Sequence, residues 1–142
     1  MGMLASKAFL EREHPELQWE EIDSADEANR PGVDILVVKP PIRIVAELKT
    51  TEPCGRTPSG TTPTKFGGNQ KKEIEKDLGK LANPQYDKFA RYRFVTSGVA
   101  YHCLLRDYRA AFPRICFVLL SDGSYKAFRR SQCPRCVSYG RF

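Results

Sequence analysis

Apolar residues in this chain follow two rhythms, alternation over short runs and helical spacing over longer ones, and these divide the sequence into elements. Leu4 to Arg12 reads as a short helix with Leu4, Ala5, Ala8 and Phe9 on one face, ended by His14-Pro15 because the residue before proline is pushed out of the helical region. Leu17 to Ile22 leans towards a strand, and Ser24 to Arg30 is a polar turn or short helix closed by Pro31-Gly32. Val33–Val38 and Ile42–Thr50 are strands. Residues 52–68 form a long loop rich in Pro, Gly, Thr and Ser, of the kind that is usually functional or disordered.

Asn69 caps a predicted helix to about Leu81, with Ile74, Leu78 and Leu81 inward and Lys71, Lys72, Lys76 and Lys80 largely outward. Tyr92–Thr96 is a strand, Val99–Phe112 a helix, Ile115–Leu120 a strongly apolar strand, and Tyr125–Phe128 a short edge. The order helix, hairpin, helix, strand, helix, strand predicts an α/β domain, a central mixed sheet flanked by helices. The core spans about residues 4–120, and a basic tail over 129–142 carries Cys133 and Cys136.

The chain's 142 residues suit one domain with a core of its own, and no apolar run reaches the length of a membrane span. Residues 1–13 lack the long uncharged stretch and cleavage site of a secretory signal. The five cysteines are an odd number, and together these features predict reduced thiols and a cytoplasmic location. Charge is divided unevenly. Residues 1–89 carry 13 Lys and Arg against 15 Asp and Glu, whereas residues 90–142 carry 10 against 2, nine of the ten being Arg. An arginine-rich half joined to a half with an acidic constellation suggests that one part grips a polyanion, nucleic acid ahead of a plain solvated basic face, and the other handles a cation.

The hairpin carries the acidic constellation. If its strands pair so that Ile35 faces Ala46 and Val37 faces Ile44, these four with Val33 and Leu48 make one apolar face, and Asp34 lies opposite Glu47 with Lys49 two residues on. Pro40-Pro41 is not a favoured two-residue turn, and a slip of one residue would scatter the pattern. Carboxylates facing each other in a sheet lie about 5 Å apart and repel unless a cation sits between them. Oxygen ligands suit a hard ion, Mg²⁺ or alternatively Mn²⁺, and Lys49 would stand beside it. The plain alternative is a surface salt pair, Glu47 with Lys49, and an unrelated turn acid at Asp34.

Pro31-Gly32-Val33-Asp34, twelve intervening residues, then Glu47-Leu48-Lys49 resembles the PD-(D/E)xK nuclease superfamily, which includes type II restriction endonucleases, Holliday-junction resolvases and repair nucleases. The resemblance departs from the family pattern in separating Pro31 from Asp34. It implies a restriction-endonuclease-like core and metal-dependent hydrolysis of DNA phosphodiesters, with Asp34 and Glu47 on the metal and Lys49 assisting the nucleophile. It also implies an acid from the first helix region at the metal, Glu11 ahead of Glu21, Glu13 and Glu20, and a role for Gln70 near the metal or scissile phosphate. Arg56 and Lys65 in the long loop, with Arg129 and Arg130 in the tail, are the expected DNA contacts.

Cleavage of both strands favours a homodimer. A type II restriction enzyme is the first reading and a Holliday-junction resolvase or repair nuclease the second. A non-catalytic DNA-binding or zinc-stabilised module is the alternative of another class. Cys133-x-x-Cys136 has the spacing of half a Zn²⁺ site, with no matching second half. His102 and Cys103 fit a surface His and a core Cys of one helix. No Gly-rich phosphate loop or Ser/His/Asp triad is present, and no organic cofactor is expected.

Overall fold

The computed structural model describes residues 2–17, 33–39, 41–56, 58, 60–61 and 63–120. Its elements are helix α1 (Gly2–Glu13), strands β1 (Ile35–Lys39) and β2 (Ile42–Leu48), helix α2 (Gly68–Leu81), a single 3₁₀ turn (Pro84–Tyr86), strand β3 (Ala90–Val95), helix α3 (Gly98–Tyr108) and strand β4 (Ile115–Leu119). The expectations for residues 18–22, 24–30 and 125–128 lie outside the described residues, as do Glu20, Glu21, Arg129, Arg130, Cys133 and Cys136.

The strands form one mixed sheet in the order β1-β2-β3-β4. β1 and β2 are antiparallel in the register that the apolar pattern predicts, Ile35 opposite Ala46 and Val37 opposite Ile44. β2, β3 and β4 are parallel, joined by crossovers through α2 and α3. Pleating divides the side chains between two cores. On one face Ile35, Val37, Ile44, Ala46, Tyr92, Phe94 and Val118 meet Ala5, Phe9 and Leu10 of α1, with Phe9 edge-on to Tyr92 and Phe94. On the other, Val45, Val95, Ile115 and Phe117 meet Ile74, Leu78 and Leu81 of α2 and Tyr101, Leu104 and Tyr108 of α3. The sheet is therefore covered on both sides, an α/β arrangement in three layers.

Several boundaries differ from the sequence expectation. Val33 joins the α2/α3 side instead of continuing the face of Ile35, because the chain bends at Asp34 before β1 begins. α3 stops at Tyr108 rather than Phe112, since Pro113 disfavours helix at the residue before it, and turns bonded from Phe112 N–H to Tyr108 O and from Ile115 N–H to Phe112 O lead into β4. Among the described residues Cys54 is an exposed and Cys103 a buried free thiol. Among the described residues no helix is long and apolar enough to cross a membrane.

Candidate active site

The carboxyl end of β2 carries the site. The Lys49 N–H donates to Phe94 O at 3.1 Å, so the ladder to β3 runs past the end of the strand. Alternation then points Glu47 to the side of the sheet covered by α2 and α3. Asp34 lies across from it at the entry to β1. Its N–H donates to Ala46 O at 3.2 Å, and its Oδ2 accepts the N–H of Leu48 at 2.8 Å. These bonds pin the Asp34 carboxylate to the strand that carries Glu47.

Glu47 is 6% exposed. Burial, then the neighbouring charges of Asp34 and Asp77, push its pKa up to about 7, while Lys80 and Arg93 pull the other way. Arg93 is the partner of Glu47 in the parallel ladder and is fully buried. Its Nη1 lies 4.0 Å from Glu47 Oε2 and 3.8 Å from Asp77 Oδ2. Burial lowers the pKa of this guanidinium against the support of Asp77, Glu47 and Asp34, and its Nε and Nη1 have no hydrogen-bond partner among the described residues. Arg93 is therefore held there by charge more than by directed bonds.

Asp77 projects from α2 into the same space and is itself buried. Lys49 Nζ reaches its Oδ2 at 3.1 Å, and Lys80 Nζ lies 3.6 Å from its Oδ1. Three carboxylates and three cations thus meet between the sheet and α2. Lys80, expected to point outward, instead turns into this network, while Lys71, Lys72 and Lys76 are exposed as expected.

The predicted residues divide. Asp34 and Glu47 come together, and Lys49 stands at the same end of the sheet with its ammonium on Asp77. Gln70 is committed elsewhere. Its Oε1 accepts from Cys54 N–H at 2.9 Å and Gly67 N–H at 3.0 Å, and its Nε2 donates to Glu52 O at 2.6 Å. Expected near the metal or scissile phosphate, Gln70 holds loop backbone with both ends of its amide. Glu11, expected at the metal, lies on the first helix. It is exposed on α1, the helix covering the opposite face, and the charges that act on Glu47 are Asp34, Asp77, Lys80 and Arg93. Glu13 is buried on the same helix and ion-paired to Arg12 at 3.4 Å.

The long loop is stitched to its surroundings. Gly55 N–H donates to Lys65 O at 2.8 Å, and a Cβ at Gly55 would stand 2.6 Å from that oxygen, so glycine is required by the close approach. Cys103 Sγ and Arg106 Nη1 both donate to Thr64 O at 3.0 Å, and Ser97, the N-cap of α3, donates to Glu52 Oε1 at 2.9 Å. Arg56 and Lys65 are exposed on this loop. As expected, Cys103 is buried and His102 exposed.

The carboxylates that could hold a divalent ion are those of Asp34 and Glu47. Asp34 and Glu47 offer hard oxygens from two mutually repelling carboxylates, and the raised pKa of Glu47 reflects its burial first and that repulsion second. Among the described residues no group of three or more His, Cys, Asp or Glu could hold a metal, and an ion on two carboxylates alone would need water and phosphate to complete its shell. Arg93 and Asp77 were not anticipated from the sequence, although each left a trace there: arginine alternates with aromatics in a strand flanked by helices, and Asp77 falls in the inward stripe of Ile74, Leu78 and Leu81. Comparison with protein-family models, with curated proteins and with solved structures finds no match to this chain.

Proposed function

We propose that the chain is a divalent-metal-dependent DNA endonuclease on a restriction-endonuclease-like core, a type II restriction enzyme ahead of a Holliday-junction resolvase or repair nuclease. The observation that carries this reading is the hairpin register, which sets a pinned Asp34 beside a buried Glu47 at the carboxyl ends of parallel strands, where α/β sheets bind ligands. Asp34 and Glu47 would hold Mg²⁺ or Mn²⁺, and such an ion supplies Lewis-acid polarisation of the phosphodiester and acidifies water.

The chain's own residues do the rest. Glu47 offers a full negative charge once its proton is lost near pH 7. Lys49, half-exposed, presents a positive charge on the open side, where it can neutralise charge developing on the phosphate. Arg56 and Lys65 on the loop and Lys71, Lys72 and Lys76 on α2 are exposed cations that would hold backbone phosphates. Cutting both strands calls for two such sites, so the reading includes a two-fold homodimer.

Digestion of plasmid and four-way-junction DNA tests it. Cleavage is expected with Mg²⁺ or Mn²⁺, none in EDTA, and a loss of about 100-fold or more in Glu47→Ala with DNA binding retained, since losing a ligand exceeds losing an outer-shell partner. Fixed plasmid fragments point to a restriction enzyme and junction cleavage alone to a resolvase. A second reading, a non-catalytic DNA-binding module, is favoured by the balance of three cations against three carboxylates, and it predicts binding with no cleavage at any metal concentration.

A further inference from the structure

We infer that Asp77 is the positioning residue that fixes Lys49 for catalysis, an inference that rests on the nuclease reading. Lysine carries its charge on a flexible four-carbon stem, so a half-exposed lysine at a strand end samples many positions unless something holds it. The holder here is unusual in its burial. Asp77 occupies the inward stripe of α2 among Ile74, Leu78 and Leu81, where an ionised carboxylate is costly unless cations surround it. Three cations do: Lys49 at 3.1 Å, Lys80 at 3.6 Å and the buried Arg93 at 3.8 Å.

A surface acid would hold Lys49 weakly, because both partners would be mobile and screened. Asp77 instead sits on a helix packed against the sheet, with Lys80 fixing one oxygen and Lys49 and Arg93 meeting the other. Its charge repels the Glu47 carboxylate and bonds the Lys49 ammonium, so of the Glu47-Leu48-Lys49 segment it is the lysine end that α2 holds. Being buried beneath Lys49, Asp77 does not touch the substrate.

The test uses the full chain with Asp77→Asn, Asp77→Glu, Lys49→Met and the double variant Asp77→Asn/Lys49→Met. Urea unfolding in EDTA is expected to be non-additive, the second substitution changing the midpoint far less once the first is present. In cleavage assays Asp77→Asn is expected to lower kcat about 100-fold, the scale of a misplaced catalytic group, with KM and the Mg²⁺ midpoint within about twofold. Asp77→Glu keeps the charge that Arg93 needs and shifts it by one methylene, so it is expected to fold and to recover part of kcat. Additive unfolding in an active enzyme, or wild-type kcat in Asp77→Glu where Asp77→Asn does not fold, overturns the role of Asp77 alone. A wild-type chain inert towards all DNA overturns the nuclease reading and the positioning role with it.

Discussion

Glu47 keeps its proton up to about pH 7 in the folded chain, against an ordinary value of 4.5, chiefly because it is buried and then because Asp34 and Asp77 lie near. Below the ordinary value both folded and unfolded states hold the proton, and the group costs nothing. Between pH 4.5 and 7 the folded state binds more protons than the unfolded one, so stability falls as pH rises, and above 7 the penalty is complete. The size is about 3 kcal/mol, taking roughly 1.4 kcal/mol per pH unit. Glu47→Gln escapes this titration. In EDTA its stability relative to wild type is therefore expected to improve by about 3 kcal/mol between pH 4.5 and pH 8, measured by urea unfolding at both values. A stability difference that does not move with pH would mean that Glu47 ionises freely in the fold.

At the scale of elements, the loop between β2 and α2 depends on one amide. Gln70, in the first turn of α2, binds Glu52 O, Cys54 N–H and Gly67 N–H, joining both ends of the loop. Gln70→Ala is expected to destabilise the chain by about 0.5–1.5 kcal/mol, the usual net worth of hydrogen bonds whose groups water can reach. It is also expected to speed trypsin cleavage after the exposed Arg56 and Lys65 by about tenfold through local opening. Wild-type cleavage rates would show that the bonds from Thr64 to Cys103 and Arg106 suffice to hold the loop. The sequence pointed to Gln70 for its place at a helix start, but what an amide bonds to is set by loop packing. The hairpin was legible for the opposite reason: alternation over Ile42–Leu48 puts Ile42, Ile44, Ala46 and Leu48 on one face, and a single register joins them to Ile35 and Val37. Asp77 was not, because the inward stripe of α2 was read for apolar residues only, and a buried acid is tolerable only beside cations that arrive from β2 and β3.

For the whole molecule, counting charge along the chain overstates the basic surface of residues 90–120, the described part of the arginine-rich half. Arg91 is buried and donates to Tyr86 O, Arg93 is buried in the carboxylate network, Arg106 pairs with Asp107, and Arg114 bonds the Asp87 carbonyl and meets its carboxylate. Arginines assigned to a polyanion by composition are thus partly spent inside the fold. Exposed cations are found instead on the outward side of α2, at Lys71, Lys72 and Lys76, on the helix whose inner side carries Asp77. If these lysines meet phosphates, each releases about one condensed counterion from duplex DNA. The triple Lys→Gln variant at these positions is then expected to flatten the dependence of log affinity on log salt by about 2.7 units, at roughly 0.9 per phosphate, equally for any duplex sequence. Fluorescence anisotropy between about 50 and 200 mM salt spans the range in which such a slope is read. An unchanged slope would leave the α2 lysines as a solvated face and move the DNA footprint elsewhere. A flattened slope with cleavage of bound DNA intact would separate the surface that grips the backbone from the Asp34–Glu47 pair that acts on it.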